Sequence, residues 1–414
     1  MNSPLFTPLP LASGAVLPNR LAKAAMEEGM AAPGQIPSEQ LIALYRRWSQ
    51  GGAGLLITGN VMVDARALTG PGGVVLDSAS PLEPFQRWAE AAKTGGNQVW
   101  MQINHPGRQV NAAMPGTAWS PSGIGIDIGR HSKRFARPVA MSQAQIKATI
   151  ARFARTAQLA ERTGFDGVEL HAAHGYLLSQ FLSPLVNVRD DEWGGSLENR
   201  ARLLLSVVEA VRAAVSPGFT VAVKLNSADF QRGGFDAGDA HAVVQMLSTR
   251  NVDLVELSGG SVEKPAMTGS EAAPSTRARE AYFLELSREL IQAAPMPVML
   301  TGGVTHRRAA ESASAAGVSV IGMGTALAFD PDLPSRWTRD DTAHVELSPV
   351  TWKDRTLAAA ATMARVTRQF RRLAVGRAPK PTSSPLLSLL AVQRNESRAL
   401  RSYRPWLLAR TFTD

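Results

Sequence analysis

The sequence predicts an α/β protein in which eight parallel strands close into a barrel inside a ring of helices. Eight short apolar segments recur over the first 349 of the 414 residues, and each is followed by a stretch with helical periodicity. Strands that alternate with helices in this way form right-handed βα units on a parallel sheet. Eight such units suggest a closed (β/α)8 barrel, which can form one domain of about 250 residues or more.

The predicted strands are short aliphatic runs bounded by glycine, proline or polar residues. In chain order they lie at Leu21–Met26, Gly54–Val63, Gln98–Asn104, Gly167–His171, Thr220–Asn226, Leu254–Ser258, Pro297–Gly302 and Ser319–Gly324.

Two helices of the predicted outer ring have clear end signals and a clear apolar face. Ser142 and Gln145 have the spacing of a capping box, and Gly164 can end that helix in a left-handed conformation. Its apolar face consists of Ile146, Ile150, Phe153 and Ala157. The next helix starts after Ser196, and its apolar face consists of Leu197, Ala201, Leu204, Val208, Val211 and Val215.

One connection, residues 105–141, is too long for an ordinary turn. It is rich in Gly, Pro, Ser and Arg and has no clear helical period. Long loops at the catalytic end of a barrel are often lids, so we expect a lid here. A simple surface excursion is the alternative.

The stretch from Gly167 to Arg200 reads GVELHAAHGYLLSQFLSPLVNVRDDEWGGSLENR. It begins as a strand and then presents His171, His174 and Tyr176 within six residues. Three hydrogen-bond donors therefore gather where a strand ends, which is the end of a βα barrel that carries chemistry.

Within this stretch, HAAHGYLLSQFLSP followed by RDDEWGGSLENR resembles the signature of the Old Yellow Enzyme family, the FMN-dependent ene-reductases. A looser likeness covers roughly residues 5–340. The resemblance implies a TIM barrel that holds FMN non-covalently and takes electrons from NADPH or NADH. It also implies a small-molecule substrate, an activated C=C bond such as that of an enone, with NADH-oxidase-like turnover as a side reaction.

The resemblance assigns roles to the three side chains of the signature. His171 and His174 would bind the carbonyl or nitro oxygen of the substrate, since an imidazole N–H is a donor of the oxyanion-hole kind. Tyr176 would protonate Cα as the general acid. Two other interpretations of the histidines are a metal site, for which no third ligand is obvious, and a purely structural role.

The same resemblance places FMN contacts at the ends of other strands. Gln102 would bond the pyrimidine edge of the flavin, and Lys224 would place a cation near N1–C2=O. Glycine turns after the seventh and eighth strands would bind the phosphate. The remaining predicted contacts are Ala24, Ala25, Met26, Glu27, Asn60, Gly302, Gly303, Gly324 and Thr325.

Two of these positions depart from the family pattern. Thr325 stands where relatives usually have Arg, so Arg307, Arg308 or the tail must supply the cation, or FMN is held less tightly. Glu27 stands where Thr or Cys often contacts the flavin. An ionised carboxylate there would disfavour flavin reduction unless it faces away or pairs with a cation.

Residues 350–414 form a basic extension that follows the barrel domain of residues 1–349. They contain 13 Lys or Arg against 3 Asp or Glu, a net +10, so the rest of the chain sums to −1. Helices are predicted over residues 355–374 and Leu386–Tyr403, the second ended by Pro405. Because leucines are interleaved with the charges, we expect packing against a neighbouring subunit in a homo-oligomer, or else peripheral contact with an anionic membrane.

Composition narrows the function classes further. The chain has no cysteine, which excludes disulfides, thiolate metal sites and Cys-held iron–sulfur clusters. No apolar run reaches membrane-spanning length and no signal peptide is recognisable, so a cytoplasmic location is expected.

Two alternative functions remain. The first is a dienoyl-CoA reductase or flavin demethylase relative that lacks the iron–sulfur part, since the larger relatives of this kind carry a Cys-rich cluster. The second, more remote, is an RNA-binding flavoprotein similar to tRNA-dihydrouridine synthases, which rely on a catalytic Cys. Neither cysteine feature is present, so we expect no nucleic-acid partner.

Overall fold

The computed structural model describes residues 3–265 and 284–412, and it contains the predicted barrel. Its strands are β1 (Leu21–Lys23), β2 (Leu55–Ile57), β3 (Gln98–Asn104), β4 (Gly167–Ala172), β5 (Thr220–Asn226), β6 (Leu254–Ser258), β7 (Val298–Thr301) and β8 (Val320–Met323). Each strand is parallel to its neighbours. The sheet closes because β8 pairs with β1 and β4 pairs with β3. The predicted (β/α)8 fold is confirmed.

The predicted second strand, Gly54–Val63, is split in the structure. After β2 the pairing stops, and Val61–Met62 forms a separate short strand on β3. The break occurs because the backbone N–H of Gly59 donates to Glu28 Oε1 (3.2 Å) and Tyr45 Oη (3.0 Å) instead of to a strand. A Cβ at Gly59 would lie 2.2 Å from the Glu28 carboxylate, so this turn requires glycine.

Alternate residues of the strands point into the barrel and form layers. The lowest layer is apolar and is closed from below by leucines of the N-terminal segment; it includes Ala22, Leu55, Trp100, Ala222, Leu254 and Val320, over Leu9, Leu11 and Leu17. The layer above it is polar and buried, and consists of Gln102, Glu169, Lys224 and Glu256. Two residues further along, the inward positions reach the carboxyl ends of the strands. The interior of the barrel therefore changes from apolar near the amino ends of the strands to polar at their carboxyl ends.

Helices cover the outside of the barrel and its carboxyl rim. They are α1 (Glu39–Ser49), α2 (Glu83–Ala92), α3 (Gln143–Arg162), α4 (Leu177–Leu182), α5 (Leu197–Ala214), α6 (Ala237–Ser248), α7 (Leu284–Ala293), α8 (Arg307–Ala315), α9 (Thr325–Phe329), α10 (Leu333–Trp337), α11 (Arg355–Ala374) and α12 (Pro385–Leu408). The capping box of Ser142 and Gln145 is present, and Gly164 has φ +87°. Both end signals predicted for α3 are confirmed.

Several shorter elements decorate the barrel. A 3-10 helix of three residues lies at Pro4–Phe6, and one of six residues lies at Gly129–Arg134. Short strand pairs join Leu9–Pro10 to Val16–Leu17, Ala31–Ala32 to Ile36–Pro37, Val61–Met62 to Val74–Val75, and Ala118–Ser120 to Pro138–Ala140.

The long loop, residues 105–141, follows β3 at the carboxyl end of the barrel and is tied down there. Arg108 pairs with Glu263 at 2.5 Å and donates to the Gly125 carbonyl at 2.9 Å. Gln109 donates to the backbone carbonyl of His174 at 2.7 Å. The loop thus contacts the segment that carries the candidate histidines, while its role as a lid stays a prediction.

The C-terminal extension packs against the barrel of its own chain. Phe370 of α11 meets Trp48 of α1 edge to face, with 5.3 Å between ring centroids. Tyr403 of α12 is fully buried, and its hydroxyl donates to the Ala65 carbonyl at 2.6 Å. The predicted helix over residues 355–374 is confirmed. The expected contact with a neighbouring subunit or a membrane stays a prediction, and the leucines exposed on α12 are Leu386, Leu387, Leu390 and Leu408.

The prediction that Pro405 ends the last helix is wrong, because α12 continues to Leu408. Proline removes one backbone donor, but Pro405 lies in the last turn of the helix, where little of the hydrogen-bond ladder remains to be lost. Tyr403 and Leu407 flank it and are buried against the barrel, so tertiary packing holds the turn in place.

Among the described residues, 3–265 and 284–412, no helix is long and apolar enough to cross a membrane.

If the extension is an integral part of the barrel fold, Phe370→Ala should lower the free energy of unfolding by about 3–5 kcal/mol, as for other buried aromatics. Leu408→Ala, at a side chain that is 81% exposed, should change it by no more than about 0.5 kcal/mol. Urea unfolding followed by circular dichroism measures both. Equal, small changes in the two variants would show that the extension folds independently of the barrel.

Candidate active site

A left-handed turn after β4 brings the three signature side chains together. His174 has φ +60° and Gly175 has φ +73°, so the chain reverses directly after the strand. The His171 ring then lies 5.0 Å from the His174 ring and 4.8 Å from the Tyr176 ring, centroid to centroid, with edge-to-face geometry. The sequence brought these residues within six positions, and the structure places their rings in one cluster.

His174 is held by three polar contacts in its strained backbone conformation. A non-glycine residue in the left-handed region costs of order 1 kcal/mol, so its surroundings must fix it. Its Nε2 lies 2.8 Å from Ser258 Oγ, and its backbone N–H donates to Asn226 Oδ1 at 3.1 Å. Its carbonyl accepts the hydrogen bond from Gln109 described above. Residues from β5, β6 and the long loop therefore position one histidine.

Both histidines are held in the neutral form. Burial, followed by the neighbouring His174 ring and the charge of Lys224, lowers the pKa of His171 well below its usual range. Burial and the Lys224 charge lower the pKa of His174 to about 3. A neutral imidazole has one N–H donor and one acceptor nitrogen, so each ring can offer a hydrogen bond without carrying a charge.

Tyr176 immediately precedes helix α4, and its raised pKa keeps it protonated over the physiological range. Burial raises its pKa, the charge of Glu27 raises it further, and a hydrogen bond with Asn60 opposes the shift in part. A phenol that keeps its proton is available as a donor at any pH at which the fold is stable.

The polar layer beneath these residues is a chain of buried charges and amides. Lys224 and Glu256 face each other across the β5–β6 ladder and form an ion pair at 2.5 Å. Gln102 donates to Glu169 Oε2 at 2.6 Å across the β3–β4 ladder. Both predicted flavin contacts, Gln102 and Lys224, therefore lie inside the barrel and are bonded to carboxylates.

The three titratable groups of this layer, Lys224, Glu256 and Glu169, do not all favour the charged form. Burial would lower the pKa of Lys224, but the charges of Glu256 and Glu169 reverse the effect and raise it. Burial likewise opposes ionisation of Glu256, yet the Lys224 charge lowers its pKa. Burial and the adjacent Glu256 raise the pKa of Glu169 well above its usual range. The layer thus combines the Lys224–Glu256 ion pair with a carboxyl group, Glu169, whose raised pKa favours the neutral acid.

Glu27 stands at the rim with its carboxylate bonded to a hydroxyl and not to a cation. Thr69 Oγ1 donates to Glu27 Oε1 at 2.5 Å. Desolvation raises the pKa of Glu27, and the hydrogen bonds with Thr69 and Asn60 reduce this effect. The sequence requires this carboxylate either to face away from the flavin or to pair with a cation. Among the described residues, Glu27 forms no ion pair.

The other residues expected near the flavin lie around the same mouth. Ala24 extends the β1–β8 ladder by donating to the Met323 carbonyl at 3.0 Å, and Ala25 and Met26 follow it. Gly302 and Gly303 follow β7, and Gly324 and Thr325 follow β8. The backbone N–H groups of Gly303 and Gly324 donate to no other described residue.

Arg307 already has several partners within the protein. Its guanidinium bonds Glu311 at 2.9 Å and the Trp337 carbonyl at 2.6 Å, and it stacks over Phe6. Arg308 is exposed on the first turn of α8. Arg308, the tail, the backbone donors alone and weaker FMN binding therefore stay open as predictions for the phosphate.

The residues present fit a flavin mononucleotide. Asn104, at the carboxyl end of β3, is fully buried, and both polar atoms of its amide lack a partner. The Asn60 Oδ1 atom is also buried without a partner. Orphaned amide groups at the mouth of a barrel are the donors and acceptors that a heterocycle with alternating N–H and C=O groups would satisfy.

Sequence reasoning missed several residues of this site. These residues are Glu169, Glu256, Asn104, Asn226 and Ser258, and they lie on β3, β4, β5 and β6. The available signal was positional, since every one of them is two residues from another inward-facing residue on the same strand. Within the described residues, no group of three or more His, Cys, Asp or Glu side chains is arranged to hold a metal.

Comparison with known proteins gives the site a context. The model of the NADH:flavin oxidoreductase / NADH oxidase family matches residues 4–342. The NADH-dependent flavin oxidoreductase iliE of Hypocrea jecorina is 37% identical over 349 residues, which cover 79% of this chain and 87% of that protein. The NADH-dependent flavin oxidoreductase nadA of Aspergillus parasiticus is also 37% identical, with 69% of this chain and 67% of that protein covered.

Solved structures share the fold. The Old Yellow Enzyme homologue from Zymomonas mobilis aligns with a TM-score of 0.67 at 24% identity, over 82% of this chain and 94% of that one. A 2-naphthoyl-CoA reductase aligns with a TM-score of 0.77 at 21% identity, over 97% of this chain and 58% of that one. The second alignment is long enough to include the C-terminal helices.

The buried neutral histidines should make the folded protein less stable in acid. In the unfolded chain a histidine takes up a proton below about pH 6.5. In the folded chain it stays neutral down to its lowered pKa, about 4 for His105 and about 3 for His174. Because the unfolded state then binds more protons, the free energy of unfolding should fall as the pH decreases from about 6.5 towards these values.

Urea unfolding between pH 4.5 and 8 measures this slope. His105→Gln should reduce the slope by about one proton, whereas the same change at the exposed His241 should not. Identical slopes in the two variants would contradict the assignment of His105 as a buried neutral group.

Proposed function

Since the chain belongs to the NADH:flavin oxidoreductase / NADH oxidase family, of the Old Yellow Enzyme type, we propose that its substrates are activated alkenes such as enones. The family binds FMN, and the named relatives use NADH or NADPH. The observation that supports ene reduction is the cluster of two neutral imidazoles and one protonated phenol at the carboxyl mouth of the barrel.

FMN bound in this mouth supplies the transfer of a hydride from reduced nicotinamide to an electron-poor carbon. Gln102, Asn104 and Asn60 would hold its ring, and Lys224 would place a positive charge beside it. The glycine turns after β7 and β8 would hold its phosphate.

The two histidines bind and polarise the oxygen of the substrate. As hydride reaches Cβ of an enone, negative charge develops on the carbonyl oxygen, and preorganised N–H donors stabilise it. Ser258 and Asn226 fix the orientation of His174 before the substrate arrives. Each hydrogen bond to a developing charge is worth about 1.5–3 kcal/mol.

Tyr176 supplies the proton that completes the reduction. Its ring lies against His171, so a substrate oxygen held by the histidines places Cα within the same pocket. The raised pKa of Tyr176 keeps the proton in place until charge accumulates on the substrate.

The basic tail gives little support to a nucleic-acid function. Arg404 and Arg410 donate to Ala113 and Asp77 of the same chain. A side chain committed to the barrel in this way is not a free phosphate contact.

The purified protein should be yellow, with about one FMN per chain. Gln102→Leu should weaken FMN binding about tenfold, because a buried amide that bonds the ring is lost. The matched control is Gln98→Leu at the opposite end of β3, where the side chain donates to the Val16 carbonyl. Flavin absorbance during titration of the apoprotein measures both. A folded, colourless protein that gains no flavin absorbance would refute the site.

Replacement of Tyr176 by Phe should slow the oxidative half-reaction with enones by roughly 10²–10⁴-fold and leave flavin reduction by NAD(P)H nearly intact. Anaerobic stopped-flow measurement with each nicotinamide, followed by a panel of oxidants, separates the two half-reactions. Tyr403→Phe removes a phenol outside the site and serves as the control. Equal slowing of both half-reactions in Tyr176→Phe would indicate a structural role for the residue.

A further inference from the structure

A second cavity lies on the carboxyl rim of the barrel, between the loop that follows β1 and the C-terminal helices. Its volume is about 410 Å³, within the usual range for small-molecule sites. One wall is the short hairpin Ala31–Ala32 and Ile36–Pro37, and the other is formed by α11 and α12. The side chains that matter here are Gln35, Arg371, Asn395, Arg398 and Ser402.

Two buried polar atoms of this cavity lack partners. Gln35 is 2% exposed, and its Oε1 accepts no hydrogen bond. Its backbone is left-handed, with φ +55°, a conformation that is unusual for glutamine. Arg371 uses Nη2 to reach the Gly29 carbonyl at 3.1 Å, but its buried Nε has no partner. Orphaned buried polar atoms are rare in folded proteins and point to a missing ligand or solvent.

The cavity has a positive balance of charge. Arg371 forms no ion pair within the described residues, and burial lowers its pKa with no carboxylate to offset the effect. Arg398 stands exposed at the edge of the cavity and is likewise unpaired. The one carboxylate of the lining, Glu39, is paired with Arg87 at 2.5 Å. Two guanidinium groups are therefore available to an anion.

The cavity adjoins the candidate active site through a shared strip of backbone. Gly29 and Gly72 line the cavity, and the Ala31 N–H donates to the Gly72 carbonyl at 3.0 Å. Three residues before Gly72, Thr69 donates to Glu27 at the rim of the flavin mouth. A ligand that reaches from the mouth towards α12 would pass along this strip.

We infer that this cavity binds the phosphorylated adenosine end of a nucleotide whose reactive end lies in the flavin mouth. The inference rests on the proposed function, which requires such a ligand. Arg371 and Arg398 would bind phosphate, and Gln35, Asn395 and Ser402 would offer donors and acceptors to the adenosine. Two ligands have this chemistry, the nicotinamide dinucleotide that donates electrons and a coenzyme A thioester that accepts them.

Equilibrium binding of adenosine 2′,5′-bisphosphate and of coenzyme A to the flavin-loaded protein tests the inference directly. Arg371→Gln and Arg398→Gln should each weaken binding of the probe about tenfold or more. Arg398 is exposed, so its replacement leaves the fold intact even if that of Arg371 does not. The control is Arg394→Gln, which removes an exposed charge from α12 outside the cavity and should leave binding unchanged.

Competition then identifies the source of the adenosine group. A probe that competes with NADH or NADPH in flavin reduction identifies the reductant, and one that competes only with an acyl-CoA oxidant identifies the thioester. If the reductant is the ligand, the two arginine variants should reduce slowly with NADH or NADPH and normally with reduced nicotinamide mononucleotide, which lacks adenosine.

The inference is overturned if neither probe binds at millimolar concentration, or if Arg394→Gln weakens binding as much as the cavity variants do. Failure of the proposed function gives a different pattern, because NADH or NADPH would then reduce the flavin but activated alkenes would not reoxidise it, whether or not the probes bind.

Discussion

The buried ion pair between Lys224 and Glu256 is the constraint on which the rest of the barrel depends. Two charges inside a barrel are tolerated only when they lie side by side, and the register of β5 against β6 puts them there. Breaking such a pair by removing one partner typically costs about 3–5 kcal/mol, because the other charge is left uncompensated. The register of β5 against β6 therefore fixes both the ion pair and the position of the cation beneath the mouth.

Burial keeps the two histidines of the upper layer neutral, and the charge in the layer below adds to this effect. A retained positive charge on Lys224 disfavours protonation of both histidines above it. The protonated Glu169 keeps the layer from acquiring a second negative charge. The barrel therefore presents a fixed cation below and uncharged donors above, an arrangement suited to a reaction that moves negative charge through a flavin and onto a substrate oxygen.

The sequence allowed all eight strands and the signature cluster to be predicted, because aliphatic runs and a long motif carry their own signal. It did not reveal Glu169 and Glu256, since a polar residue in a strand looks like an outward-facing one until the barrel closes around it. The left-handed backbone of His174 was equally invisible, because no glycine marks it. The end of α12 was misplaced for another reason: the burial of Tyr403 and Leu407, set by tertiary contacts, outweighs the local effect of Pro405.

The contact between Tyr403 and Ala65 joins parts of the chain that are made far apart in time. The last barrel strand ends at Met323, and Tyr403 follows it by 80 residues, so all eight strands are synthesised before Tyr403. Until then the loops after β1 and β2 have no α12 to rest on, and the apolar surface that Tyr403 and Leu407 cover is open to water. While the chain is being synthesised, this apolar surface is therefore available to a chaperone until α12 covers it.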